Sequence, residues 1–95
     1  MPTYISLLSF TDEGARKINK SSSRAAAFDQ AAEKAGVHIV GQYWMFGKYD
    51  GLLIINAEQE QQALRCLTEL VAAGNVRTHT MQAFDMKAFA AIVGK

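Results

Sequence analysis

Tyr43-Trp44-Met45-Phe46-Gly47-Lys48-Tyr49-Asp50-Gly51, running directly into Leu52-Leu53-Ile54-Ile55, has the form of a β-hairpin tip between two apolar strands. Gly47 and Gly51 can take positive φ without a Cβ clash, and Asp50 can turn its carboxylate onto nearby backbone N–H groups. Val37 to Phe46 is the strand expected ahead of the tip, and Gly51 or Leu52 to Ala57 the strand behind it. The second is apolar on both faces. A one-residue change in the length of the hairpin loop would exchange the faces of these strands, so the spacing does not fix which side chains share a face.

Beyond the hairpin, Glu58 to Ala73 is the clearest helix. Ala63, Leu64, Leu67, Leu70 and Val71 form its apolar stripe, Cys66 lies beside the stripe, and Gly74 ends it. Asn75 to Phe84 is an edge strand with Val76, Thr78, Thr80 and Gln82 on one face and Arg77, His79, Met81 and Ala83 on the other. Asp85 caps a short last helix whose apolar contacts come from Phe89, Ile92 and Val93. On the N-terminal side, Thr3 to Phe10 is a strand with apolar residues in both alternating sets, as a central strand requires. Thr11 caps a helix of a turn or two. Ser22 or Ser23 caps a longer one that runs to Ala35 and stops at Gly36, with Ala25, Phe28, Ala32 and Ala35 inward and Arg24, Asp29, Glu33 and Lys34 toward solvent.

The order β-α-β-β-α-β predicts an α+β, ferredoxin-like antiparallel sheet with the first and third strands central and the helices on one face. The other face of those two strands is also apolar and needs cover. In 95 residues, enough for one domain spanning 1–95 but with limited capacity for self-burial, a second copy is the economical cover. The expectation is a homodimer packed sheet to sheet, a dimeric α/β barrel, with higher oligomers open.

Ten basic and nine acidic residues are mixed along the chain for a net charge of +1, which supplies no footprint for nucleic acid or anionic lipid. The single cysteine, Cys66, cannot close an intramolecular disulfide and fits a reducing compartment. No apolar run approaches membrane-spanning length, and the strand pattern begins at Thr3, so a cytoplasmic protein is expected. His38 and His79 have no third ligand at a telling spacing, and no P-loop, G-x-S-x-G or G-x-G-x-x-G occurs. No metal or cofactor is expected.

Tyr43-Trp44-x-x-Gly47-x-Tyr49-Asp50-Gly51, with the Gly36-Val37 helix stop, Gly74-Asn75-Val76-Arg77-Thr78-x-Thr80, the opening Pro2-Thr3-Tyr4-Ile5 and Phe10-Thr11-Asp12 with Gly14, resembles the GYD domain family of small bacterial and archaeal proteins. The resemblance spans nearly the whole chain. It implies a ferredoxin-like protomer of the dimeric α/β-barrel group and a family whose biochemical role is largely undefined. The glycine-x-x-aspartate tip is also similar to the effector-binding domain of leucine-responsive transcription regulators, which implies ligand sensing or assembly; the helix-turn-helix domain of those regulators has no counterpart here.

Each candidate side chain has an ordinary use beside a functional one. Asp50 can hold a ligand or act as a base, or serve the turn. Tyr43, Trp44 and Tyr49 can wall an apolar ligand, or pack in a core or interface, Trp44 being the expected dimer anchor. His79 and Arg77 share a strand face and can point into a cavity, whereas Lys48 and Arg77 are also ordinary exposed cations. The function expected is a homo-oligomeric module that binds or senses an undefined small molecule between the sheets, with Tyr4, Tyr43, Trp44, Tyr49, Asp50 and His79 around it. The alternatives are a cofactor-free oxygenase or isomerase, such as related dimeric barrels include, and a pure assembly unit.

Overall fold

A computed structural model describes residues 1–94. Four strands, β1 (Thr3–Phe10), β2 (Val37–Trp44), β3 (Gly51–Ala57) and β4 (Val76–Ala83), form one antiparallel sheet in the order β2-β3-β1-β4. This is the expected ferredoxin-like arrangement, with β1 and β3 central and β4 at an edge. Four α-helices complete it among the described residues: α1 (Asp12–Arg16), α2 (Ser21–Lys34), α3 (Glu60–Ala72) and α4 (Met86–Ile92).

Local chemistry accounts for most of the boundaries. The Thr11 hydroxyl accepts the Gly14 N–H at the start of α1, and the Asp85 carboxylate accepts the Ala88 N–H at the start of α4. Gly36 and Gly74 leave α2 and α3 at φ of 84° and 88°, where a side chain is strained. The expected serine cap of α2 is absent. A 3-10 turn over Ile18–Lys20 feeds straight into the helix, which begins at Ser21 without a side-chain cap. Gly51 begins β3, as expected, but without the positive φ expected of a turn glycine; a Cβ there would lie 3.3 Å from the Tyr43 carbonyl oxygen.

Register assigns the faces. Tyr4 pairs with Ile55, Ser6 with Leu53 and Leu8 with Gly51, and these residues face the helices. Tyr4, Val37, Leu53, Ile55 and Ala57 form the core there with Ala32 of α2 and Ala63, Cys66 and Leu67 of α3. Ser6, fully buried, shares a 2.8 Å hydrogen bond with the Thr80 hydroxyl. In α3 the inward face is rotated slightly from the expected stripe: Cys66 is buried and Leu64 is 65% exposed. Ile5, Leu7, Leu52 and Ile54 lie on the opposite face, paired in register (Ile5 with Ile54, Leu7 with Leu52) and half-buried, with His79 and Met81 of β4 beside them.

That open face is apolar, and α4 adds to the uncovered surface. Phe84, Met86, Phe89, Ile92 and Val93 are all at least half exposed, so the contacts expected of Phe89, Ile92 and Val93 are not made within the protomer. The protomer exposes 6551 Å², where a monomeric protein of this mass exposes about 5400 Å². Its radius of gyration is 14.1 Å, against about 12.4 Å for a compact chain of this length.

Candidate functional site

The β2–β3 pairing contains a register shift between Ile39 and Gly41, a bulge at Val40. Before it, Val37 and Ile39 pair with Ala57 and Ile55 on the helix side; after it, Gln42 and Trp44 take that side, paired with Leu53 and Gly51. Tyr43, opposite Leu52, is thereby turned to the open face. As neighbours on one strand Tyr43 and Trp44 face opposite sides in any register, and the extra residue decides that Tyr43 takes the open face and Trp44 the helix side.

The other sequence candidates divide the same way. Tyr49 lies edge-to-face on His79, ring centroids 5.7 Å apart, and His79 pairs with Leu7 on the open face. Lys48 stands 5.8 Å from the centre of the Tyr49 ring. Tyr43, Tyr49 and His79 thus share the open face. Tyr4 does not: it is buried beneath α3, which corrects its expected place between sheets. Trp44 is corrected too, because its indole N–H reaches across the helix side to donate to the Ser21 hydroxyl at 3.0 Å. His38 pairs with Glu33 on the surface, and no cluster of potential metal ligands occurs among the described residues.

Asp50 holds the tip to the sheet. Its carboxylate accepts the Phe10 N–H at 2.8 Å, its own N–H donates to the Leu8 carbonyl at 2.8 Å, and its carbonyl accepts the Met45 N–H at 2.9 Å. These bonds join the end of β1 to both arms of the hairpin. Gly14 serves the same end of the molecule from the other side. A Cβ there would lie 2.0 Å from the Asn75 carbonyl oxygen, and that carbonyl accepts the Thr11 N–H.

A mainly apolar cavity lies under the helices. α2 packs on β2 while α3 packs on β3 and β4, and the gap between them encloses about 450 Å³, within the range of small-ligand pockets. Leu8, Phe10 and Leu53 form its floor, Phe28 and Leu70 face it from the two helices, and Trp44 closes one end. The alanines of α2, including Ala25, leave the room that larger side chains would fill. Cys66 also lines the space; burial pushes its thiol above the usual range, with the nearby Glu69 carboxylate adding to the effect.

Sequence reasoning missed this cavity and its charged rim. Arg24, expected toward solvent, is half-buried on the cavity side of α2 in the series Ser21, Arg24, Ala25, Phe28, and Arg65 reaches the same space from α3. The available signal was the spacing of Arg24 itself, three and four residues from Ser21 and Phe28. Asp29, also expected outward, accepts a hydrogen bond from the Gln42 amide at 3.1 Å. Among the described residues no helix is long and apolar enough to cross a membrane.

Comparison with known proteins adds three findings. The sequence pattern of the GYD domain family matches residues 4–93. A protein of Thermus thermophilus, named glutamine synthetase and cystathionine beta-lyase binding protein, is 36% identical over 87 residues, covering 90% of this chain and 92% of the relative. Among solved structures, FFRP-DM1 is similar with a TM-score of 0.61 at 17% identity, over 88% of this chain and all of that one. TTHA0845, also from Thermus thermophilus, is similar with a TM-score of 0.58 at 20% identity, over 90% and 95% of the two chains. At these identities the two structures speak for the fold.

Proposed function

From the premise that this chain belongs to the GYD domain family, we propose that it is a homo-oligomeric binding module whose protomers pair through the open sheet face and take a small apolar molecule in the α2–α3 cavity. One observation carries the reading: the two sides of a single sheet are built for different tasks. The helix side has a core of its own and encloses a cavity of about 450 Å³. The open side has Ile5, Leu7, Leu52 and Ile54 in a continuous patch with nothing above them. Apolar surface of this kind is covered most economically by its own copy.

The surface excess of roughly 1100 Å² over an ordinary monomer is of the size that one partner contributes to a stable interface, about 800 Å². Pairing there would put Tyr43, Tyr49 and His79 at the seam and leave the helices outermost. On this reading the ligand space lies beneath the helices instead of between the sheets, and each protomer keeps its own mouth open to solvent.

The test of pairing is sedimentation equilibrium on the full chain and on Leu7→Asp, with circular dichroism to confirm that the variant folds. The parent is expected to be a dimer and the folded variant a monomer, since a carboxylate buried in an apolar interface would be uncompensated. A parent that sediments as a monomer would sink the assembly part of the proposal. The relative that is 36% identical across nine-tenths of the chain supports a macromolecular partner as well. Its name makes glutamine synthetase and cystathionine beta-lyase the two enzymes to present to the purified dimer.

A further inference from the structure

We infer that the α2–α3 cavity selects a small carboxylic acid with an apolar body, the carboxylate held between Arg24 and Arg65 and the body lying on Leu8, Leu53 and Phe28 beneath Trp44. The inference rests on the reading of this space as the ligand site, and it adds the chemistry of the ligand.

The polar groups around the cavity are largely spoken for. The Ser21 hydroxyl accepts from Trp44, the Gln42 amide donates to Asp29, the Asp50 carboxylate holds the Phe10 N–H, and the Asn75 carbonyl accepts from Thr11. Three charged side chains at the rim are not: Arg24, Arg65 and Glu69 all line the space, and none of them forms an ion pair among the described residues.

Arg24 is the most telling of the three. It is half-buried, it closes the first turn of α2, and that turn contains no acidic residue. A cation at the positive end of a helix is unfavourably placed. A guanidinium presents a planar fork of donors that matches a carboxylate, and Arg65 offers a second from the facing helix. One anionic group between them would answer both. Glu69, one turn beyond Arg65 on α3, is the one carboxylate lining the space that has no partner among the described residues, and it sets the competing possibility of a cationic ligand. The apolar floor and the enclosed volume supply the rest of the selection, because a small inorganic anion would leave most of the space unfilled.

Trp44 is the chain's only tryptophan, so its emission reports on the cavity directly. The test titrates the full-length protein with octanoate, 1-octanol and octylamine, three probes of one length and different head groups, and reads Trp44 emission and melting temperature. Octanoate is expected to saturate both signals and to bind about tenfold or more tightly than 1-octanol, the increment of a charge-assisted hydrogen bond. Arg24→Gln and Arg65→Gln should each remove most of that preference while leaving the affinity for 1-octanol unchanged, and Arg24→Lys should restore part of it. Ala25→Leu, which narrows the cavity, should weaken all three probes.

Equal binding of octanoate and 1-octanol, or tighter binding of octylamine, would overturn the carboxylate assignment and leave the cavity as a ligand site. Octanoate binding that Ala25→Leu leaves intact would place the acid elsewhere and overturn the assignment as well. No response to any probe from a folded protein would overturn both the assignment and the reading beneath it. Circular dichroism of each variant separates loss of binding from loss of fold.

Discussion

Asp50 shows how a side chain in a recognisable motif can be structural. An acceptor is what its place demands, since the Phe10 N–H at the end of β1 has the Asp50 carboxylate as its partner at 2.8 Å. Asp50→Ala leaves that half-buried donor without a protein partner and should lower stability by about 1–3 kcal/mol. Asp50→Asn keeps an acceptor and should cost distinctly less, as chemical denaturation of the two variants would reveal; equal losses would show that charge, not acceptance, is what the position supplies. The turn reading of Asp50 was legible in the sequence. Its partner was not, because Phe10 is forty residues away and only sheet pairing brings it near. Cys66 gives a pH-dependent counterpart. Burial and Glu69 raise its thiol pKa, so the reactive thiolate is scarcer at neutral pH than in a free thiol. Alkylation by iodoacetamide in the folded protein should be slow, and its rate should keep rising above the pH at which a free thiol levels off; a plateau at the ordinary value would contradict the burial.

At the level of elements, the order of strands and helices was readable because apolar spacing, caps and glycine stops agree with one another. The faces of β2 were not. A strand of strict alternation would put Tyr43 with Val37 and Ile39, yet the bulge at Val40 transfers that side to Gln42 and Trp44. Gly41, a lone glycine inside the strand, was the one available signal of a bulge, and the missed cavity follows from passing over it, since Trp44 lines one end of that space. The stripe on α2 was legible as small residues suited to close packing. Ala32 does pack closely, fully buried in the core, whereas Ala25 and Ala35 leave room beside the helix. The short α1 depends on backbone proximity: Gly14 sits against the Asn75 carbonyl with no space for a Cβ. Gly14→Ala should force α1 off the start of β4 and cost about 1–3 kcal/mol, the scale of overpacking a tight contact. Thermal melts check it, and an unchanged midpoint would mean that α1 shifts freely.

The whole molecule carries apolar surface that one copy leaves uncovered. The sheet has a helix-covered side with its core and cavity, and an open side with paired apolar residues from both central strands. α4 extends the exposed apolar area at one end of a body 48 Å long and 17 Å thick. Two-sided apolarity of β1 and β3 was visible in the sequence, whereas the position of the cavity required register. Dimerisation by the open face would leave both cavities accessible, so the proposed assembly and the proposed ligand binding would be separable properties. Native mass spectrometry of the purified protein, sprayed gently with and without octanoate, reads both at once. The account predicts a dimer that takes up two octanoates, one for each protomer. A monomer would contradict the assembly on which the central claim rests, and a dimer that takes up only one would put the ligand at the seam between the sheets instead of beneath the helices.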